Sequence, residues 1–104
     1  MKPIILTAEN YSDEVNNYEK PVLIDFYADW CGPCRMVAPV IAQLAEEVKD
    51  AKICKVNVDE QNSLAAEFGI MSIPTLVILK NGRIVNKAVG VQSKEALLKM
   101  IASA

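Results

Sequence analysis

The run Val22-Leu23-Ile24-Asp25-Phe26-Tyr27 is apolar at every position but one. Such near-continuous apolarity predicts a central strand covered on both faces. After three intervening residues comes Cys31-Gly32-Pro33-Cys34, and then a stripe of Val37, Val40, Ile41, Leu44, Ala45 and Val48 at helical spacing. A buried strand that runs straight into an amphipathic helix opens a β-α-β unit, which points to an α/β fold with parallel strands. The helix is expected to begin near Met36. It should kink at Pro39, whose missing N–H leaves the Arg35 carbonyl unpaired.

Similar patterns organise the rest of the chain. Pro3 to Leu6 reads as a short first strand, and Asn10 as the cap of a helix through about Asn17. Ala51 to Asp59 alternates as a strand. A short helix carrying Leu64, Ala65 and Phe68 should follow, capped by Asn62 or Ser63 and ended by Gly69. Thr75 to Leu79 is a third strong strand. Asn81-Gly82 then separates it from an extended stretch, Arg83 to Val89, the pattern of a two-residue hairpin. Ser93 is placed to cap a last helix with Leu97, Leu98 and Ile101 on its buried side. The expected architecture is a mixed sheet with helices on both faces, in one domain spanning residues 1–104.

Composition narrows the function. Hydrophobic residues make up 52% and charged residues 23%, enough apolar side chains for a packed core. The net charge is −2 and no basic patch stands out, which gives nucleic-acid binding no support. No apolar stretch is long enough to cross a bilayer, and the N-terminal residues lack a signal-peptide core, so a cytoplasmic, membrane-free protein is expected. There is no histidine, which removes Ser-His and Cys-His dyads and His-containing metal sites. Three cysteines, Cys31, Cys34 and Cys54, cannot make a four-cysteine metal site.

The close pair Cys31/Cys34 is different. Residues three apart in a helical turn lie about 5–6 Å apart at Cβ, slightly wider than the roughly 3.5–4.5 Å a disulfide needs. A modest tightening of one turn would close the bond and a modest relaxation would open it. Unpaired N–H groups and partial positive charge at a helix N-terminus favour a thiolate, the species that attacks disulfides. Cys31, before the helix proper and nearer solvent, is the expected nucleophile. Cys34, one turn in, is the expected resolving thiol. Gly32 would let a partner chain approach, and Pro33 suits a first helical turn. Asp25 is either a solvated strand end or a buried acid that accepts a proton from Cys34. Lys55 is either solvated or reaches Asp25. Trp30 is expected to shield the pair and touch partners. Cys54 reads as a small core hydrophobe.

Trp30-Cys31-Gly32-Pro33-Cys34, with Asp25-Phe26, Pro39, Lys55, Ile73-Pro74-Thr75, Asn81-Gly82 and Gly90, resembles the thioredoxin family over essentially the whole chain. The resemblance implies a central five-stranded mixed sheet flanked by four helices. It implies a monomeric protein-disulfide reductase, re-reduced by a flavin- and NADPH-dependent thioredoxin reductase, with no bound cofactor. It assigns Lys55 to modulating Asp25, and Trp30, Gly32, Pro33, Ile73, Pro74 and Gly90 to substrate binding, with the Ile73-Pro74 bond cis. Tyr27, Phe68 and Ser72 depart from the family's usual tryptophan, tyrosine and glycine, and Cys54 is not a usual cysteine position. Ser72 and Met71 border the implied groove.

Overall fold

A computed structural model describes residues 1–104. Its elements in chain order are β1 (Ile4–Ile5), α1 (Tyr11–Val15), β2 (Val22–Tyr27), α2 (Gly32–Glu47), β3 (Lys52–Asn57), α3 (Asn62–Glu67), β4 (Thr75–Lys80), β5 (Arg83–Val89) and α4 (Lys94–Ala102). They form one five-stranded sheet ordered β1-β3-β2-β4-β5. β3 pairs in parallel with β1 and β2, whereas β4 pairs antiparallel with β2 and β5. This is the expected mixed sheet with four helices.

The strand pleat divides the core in two. Val22, Ile24 and Phe26 of β2 point to one face, with Val15 of α1 and Leu64 and Ala65 of α3. Leu23 points to the other, with Val37, Ile41 and Leu44 of α2 and Leu97 and Ile101 of α4. β2 is thus buried on both sides, which is why its sequence shows no polar alternation. Asp25 shares the Leu23 face and is fully buried. Cys54 lies in the α1/α3 core, and burial first, then Glu14, pushes its thiol up to about 12. It behaves as the expected small hydrophobe.

Several boundaries differ from the expectation. α2 begins at Gly32, four residues before Met36; as expected, Pro39 lies inside it. Pro33 stands in the first turn of α2, the place expected of it, because a first-turn residue needs no N–H. α1 stops at Val15, and Asn17 has a φ of 66°. Asn10 makes no cap bond to α1. Its Oδ1 instead accepts from the Thr7 N–H at 2.8 Å, and its Nδ2 donates to the Ile5 carbonyl at 2.9 Å, fastening the turn after β1. The residue before α3 is Gln61, and neither Asn62 nor Ser63 serves as its cap. Leu98 is exposed, because α4 turns Leu97 and Ile101, with Met100 beside them, toward the core. Ser93 does cap α4, accepting from the Ala96 N–H at 3.1 Å, and Gly69 ends α3 with a φ of 64°.

The β4–β5 connection is the expected two-residue hairpin, with Lys80 opposite Arg83. Asn81 and Gly82 both have positive φ, 55° and 75°, as a tight turn matching strand twist requires. A Cβ at Gly82 would also sit 3.0 Å from Asn16 Oδ1. Gly82→Ala is therefore expected to lower stability by about 1–2 kcal/mol. Urea melts would show this as a lower midpoint at unchanged slope. No helix is long and apolar enough to cross a membrane.

Candidate active site

The site is built where β2 hands over to α2. The chain leaves β2 at Tyr27, and the Cys31 N–H donates to the Ala28 carbonyl at 3.2 Å, turning the chain into the helix. Cys31 is the N-cap of α2, with extended backbone (φ −87°, ψ 113°). Its Sγ accepts from the Cys34 N–H at 3.2 Å, satisfying one of the free donors of the first turn. Pro33 has no N–H to satisfy there. The Cys31 and Cys34 sulfurs are bonded, with Cα atoms 5.2 Å apart, inside the normal range for a disulfide. One helical turn therefore accommodates the closed form.

Both cysteines are almost wholly covered, Cys31 at 4% and Cys34 at 3% exposure. The expectation that Cys31 is nearer solvent is not met in the disulfide form, since Ile73 and Ala28 pack against the pair. What distinguishes the two is their neighbours. Cys31 lies against the Ile73 carbonyl, and at Gly32 beside it a Cβ would meet nothing within 4 Å. No packing inside the chain asks for a glycine there. Cys34 looks inward to a cavity of about 210 Å³ that it lines with Asp25, Tyr27 and Lys55.

On the far side of Cys31 stands the loop before β4. The Ile73 carbonyl oxygen lies 3.7 Å from Cys31 Sγ, and the Ile73-Pro74 bond is cis. Gly90, with φ 94°, donates its N–H to the Pro74 carbonyl at 2.8 Å, which ties the end of β5 to this loop. Of the residues expected to bind substrate, Trp30, Gly32 and Pro33 adjoin the disulfide along the chain, Ile73 packs against it, and Gly90 meets the same loop through Pro74. Met71, in the same loop, is almost fully exposed.

Beneath the disulfide, Asp25 and Lys55 are direct partners across β2 and β3. Neither Asp25 carboxylate oxygen has a hydrogen-bond partner. Burial pushes its carboxyl up to about 6, with Lys55 pulling the other way. The solvated reading of Asp25 is excluded. Lys55 makes no ion pair with it; its Nζ lies over the Tyr27 ring, 4.3 Å from the centroid.

One contact at the site has no signal in the residue pattern. Trp30 is 67% exposed, yet its Nε1–H donates to Asp59 Oδ2 at 2.8 Å. Asp59 is itself held, because Asn57 Oδ1 at the end of β3 accepts from the Asp59 and Glu60 N–H groups at 2.9 and 3.2 Å. The alternating pattern puts Asn57 and Asp59 in one strand, whereas β3 ends at Asn57; the indole partner of Asp59, 29 positions away, leaves no mark on that pattern. Trp30 is the chain's single tryptophan. Asp59→Ala is expected to free the indole and lower its fluorescence anisotropy, while Asp59→Asn, which keeps an acceptor, leaves it near the parent value.

Comparison with known proteins places this geometry among relatives. The family described as Thioredoxin matches residues 2–103. The chain is similar to a thioredoxin of Bacillus subtilis strain 168, at 46% identity over 98 residues, covering 93% of this chain and 94% of that one. It is 48% identical over 98 residues to a thioredoxin of Alicyclobacillus acidocaldarius, covering 93% and 92%. In structure it is similar to a mutant thioredoxin from Halobacterium salinarum, with a TM-score of 0.88, 42% identity, and coverage of 98% of this chain and 89% of that one.

Proposed function

The chain belongs to the thioredoxin family and is a thiol–disulfide oxidoreductase, and on that premise we propose that it reduces protein disulfides with Cys31 as nucleophile, Cys34 as resolving thiol and Asp25 as proton acceptor. The observation that carries this reading is the asymmetry of the two sulfurs: Cys31 caps the α2 N-terminus beside the Ile73 carbonyl, whereas Cys34 shares a cavity with a buried carboxyl.

The steps follow from that asymmetry. The Cys31 thiolate attacks one sulfur of a substrate disulfide and forms a mixed disulfide, releasing the other substrate sulfur as a thiolate. Cys34 gives its proton to the Asp25 carboxylate and attacks Cys31 Sγ. The Cys31–Cys34 disulfide forms, and the second substrate sulfur leaves and takes up a proton. Two electrons pass from the dithiol to the substrate. The sulfur pair is itself the electron store, so no bound cofactor enters these steps. Lys55 modulates the charge on Asp25. Trp30, Gly32, Pro33, Ile73, Pro74 and Gly90 form the face on which the substrate lies.

As a family member the protein works with disulfide-bearing substrates and a reductase. The reading extends to a flavin- and NADPH-dependent reductase, a monomeric single domain and a cytoplasmic setting, where a reducing thiol pool favours transient redox use of such a pair.

Trapping tests the assignment. Cys34→Ser should accumulate mixed disulfides through Cys31, seen as higher-mass species that collapse on adding dithiothreitol. Brief iodoacetamide treatment of the reduced parent protein should label Cys31 at least about tenfold faster than Cys34 at pH 7. Equal labelling, or adducts formed through Cys34, would overturn the roles.

A further inference from the structure

Lys55 is the cation opposite Asp25, yet its ammonium rests on an aromatic ring and not on the carboxylate. We propose that Tyr27 is a positioning residue, whose ring holds the Lys55 ammonium facing Asp25 at a fixed stand-off and thereby sets how readily that carboxyl carries charge. The proposal rests on the reading of Asp25 as proton acceptor only for its effect on turnover, not for its effect on Asp25 itself.

Strand geometry creates the arrangement. Asp25 and Lys55 are direct register partners, and Tyr27 lies two residues beyond Asp25 on β2, so all three project from one face of the sheet. They line a single cavity with Cys34. A lysine stem is flexible, and a partly buried one tends to carry its charge out to water. Here the negative face of the Tyr27 ring offers a seat, with Nζ 4.3 Å from the centroid. The seat keeps the ammonium near the carboxyl but out of contact, for both carboxylate oxygens are without partners. The ring stays a neutral phenol through the working range. Burial above all, and then the Asp29, Glu60 and Asp25 carboxylates, hold its hydroxyl above the usual value against an opposing contribution from Asn57.

The remaining groups around Asp25 leave Lys55 as the cation that matters. Across β4 its partner is the apolar Leu76. From α2 come Cys34, which is disulfide-bonded, and Arg35, whose Nη2 donates to the Asp29 carbonyl at 2.9 Å. Asp29 and Glu60 are acidic and exposed.

The test is a ¹³C NMR titration of the Asp25 carboxyl in the oxidised protein. Tyr27→Leu is expected to raise its midpoint by about half a pH unit, because the unseated ammonium moves into solvent. Tyr27→Met, a second ring-less variant, should give the same shift if the leucine protein folds poorly. Tyr27→Phe keeps the ring and should stay at the parent midpoint. In a Lys55→Met background, Tyr27→Leu should add nothing. An unchanged or lowered midpoint in the ring-less variants would overturn the proposal. So would an upward shift by Tyr27→Phe, or a shift that persists without Lys55. The pH profile for reduction by dithiothreitol separates the two readings. A carboxyl shift with no matching shift in rate would sustain the Tyr27 assignment and overturn Asp25 as acceptor for Cys34.

Discussion

Asp25→Ala should make the oxidised protein more stable at pH 7.5, by as much as about 3 kcal/mol, while slowing its reduction. The folded carboxyl titrates near 6 and the ordinary value is 3.8, a gap worth about 3 kcal/mol at roughly 1.36 kcal/mol per unit. The sign follows from proton binding. Between these two values the folded state holds a proton that the unfolded chain has released, so stability falls as pH rises. The penalty is absent below about pH 3.8, grows to about pH 6 and is constant above. Parent and variant should therefore converge in acid and separate through that window, less whatever the small void left by the carboxyl costs. Guanidinium melts at pH 3.5, 5 and 7.5 measure this. A variant less stable than the parent at pH 7.5 would mean that Asp25 is favourably paired. Slower reduction is expected because the route for the Cys34 proton is gone.

The second large effect concerns the order of the cysteines. Cys31→Ser should lower the rate of protein-disulfide reduction by about three orders of magnitude or more, since a serine hydroxyl has no activating base here. Cys34→Ser should leave the first attack intact and stop before release. A stopped-flow assay with an excess of disulfide substrate would show one fast equivalent of substrate thiol and no further turnover. Full turnover by either variant, or a burst from the Cys31 variant, would contradict the assigned order.

Much of this was legible in the residues, for identifiable reasons. β2 is buried on both faces, so its apolar run carried the signal by itself, and Asn81-Gly82 announced its turn because few other pairs accept positive φ twice. The redox pair was legible because its chemistry depends on local spacing within one turn. Elsewhere local pattern misled. The start of α2 was missed because Gly32 and Pro33 lower helix propensity everywhere except in the first turn, where they stand. Leu98 matched a helical stripe, but a nine-residue helix against a sheet shows it a narrower face. Cys31 read as exposed because its cover comes from Ile73, 42 positions away. Lys55 read as a partner for Asp25 or a solvated charge; its seat on Tyr27 is a third state that only the paired strands create. Asp59, one carboxylate among many, gained meaning only once the end of β3 was placed beside Trp30.

The two margins of the sheet are unequal. β1 contributes only Ile4 and Ile5, whereas β5 runs from Arg83 to Val89 with Ile84, Val85 and Val89 exposed. The long margin is irregular: its register slips opposite Ile78 and Leu79, and Lys87 stands on it, features that discourage another strand from joining. Ordered fibre growth needs a fresh, usable margin after every addition. Here a second copy joined β5 to β5 would consume both long margins and leave only two-residue stubs at the ends. A third copy would then meet β1, which offers two residues to an incoming strand where β5 offers seven.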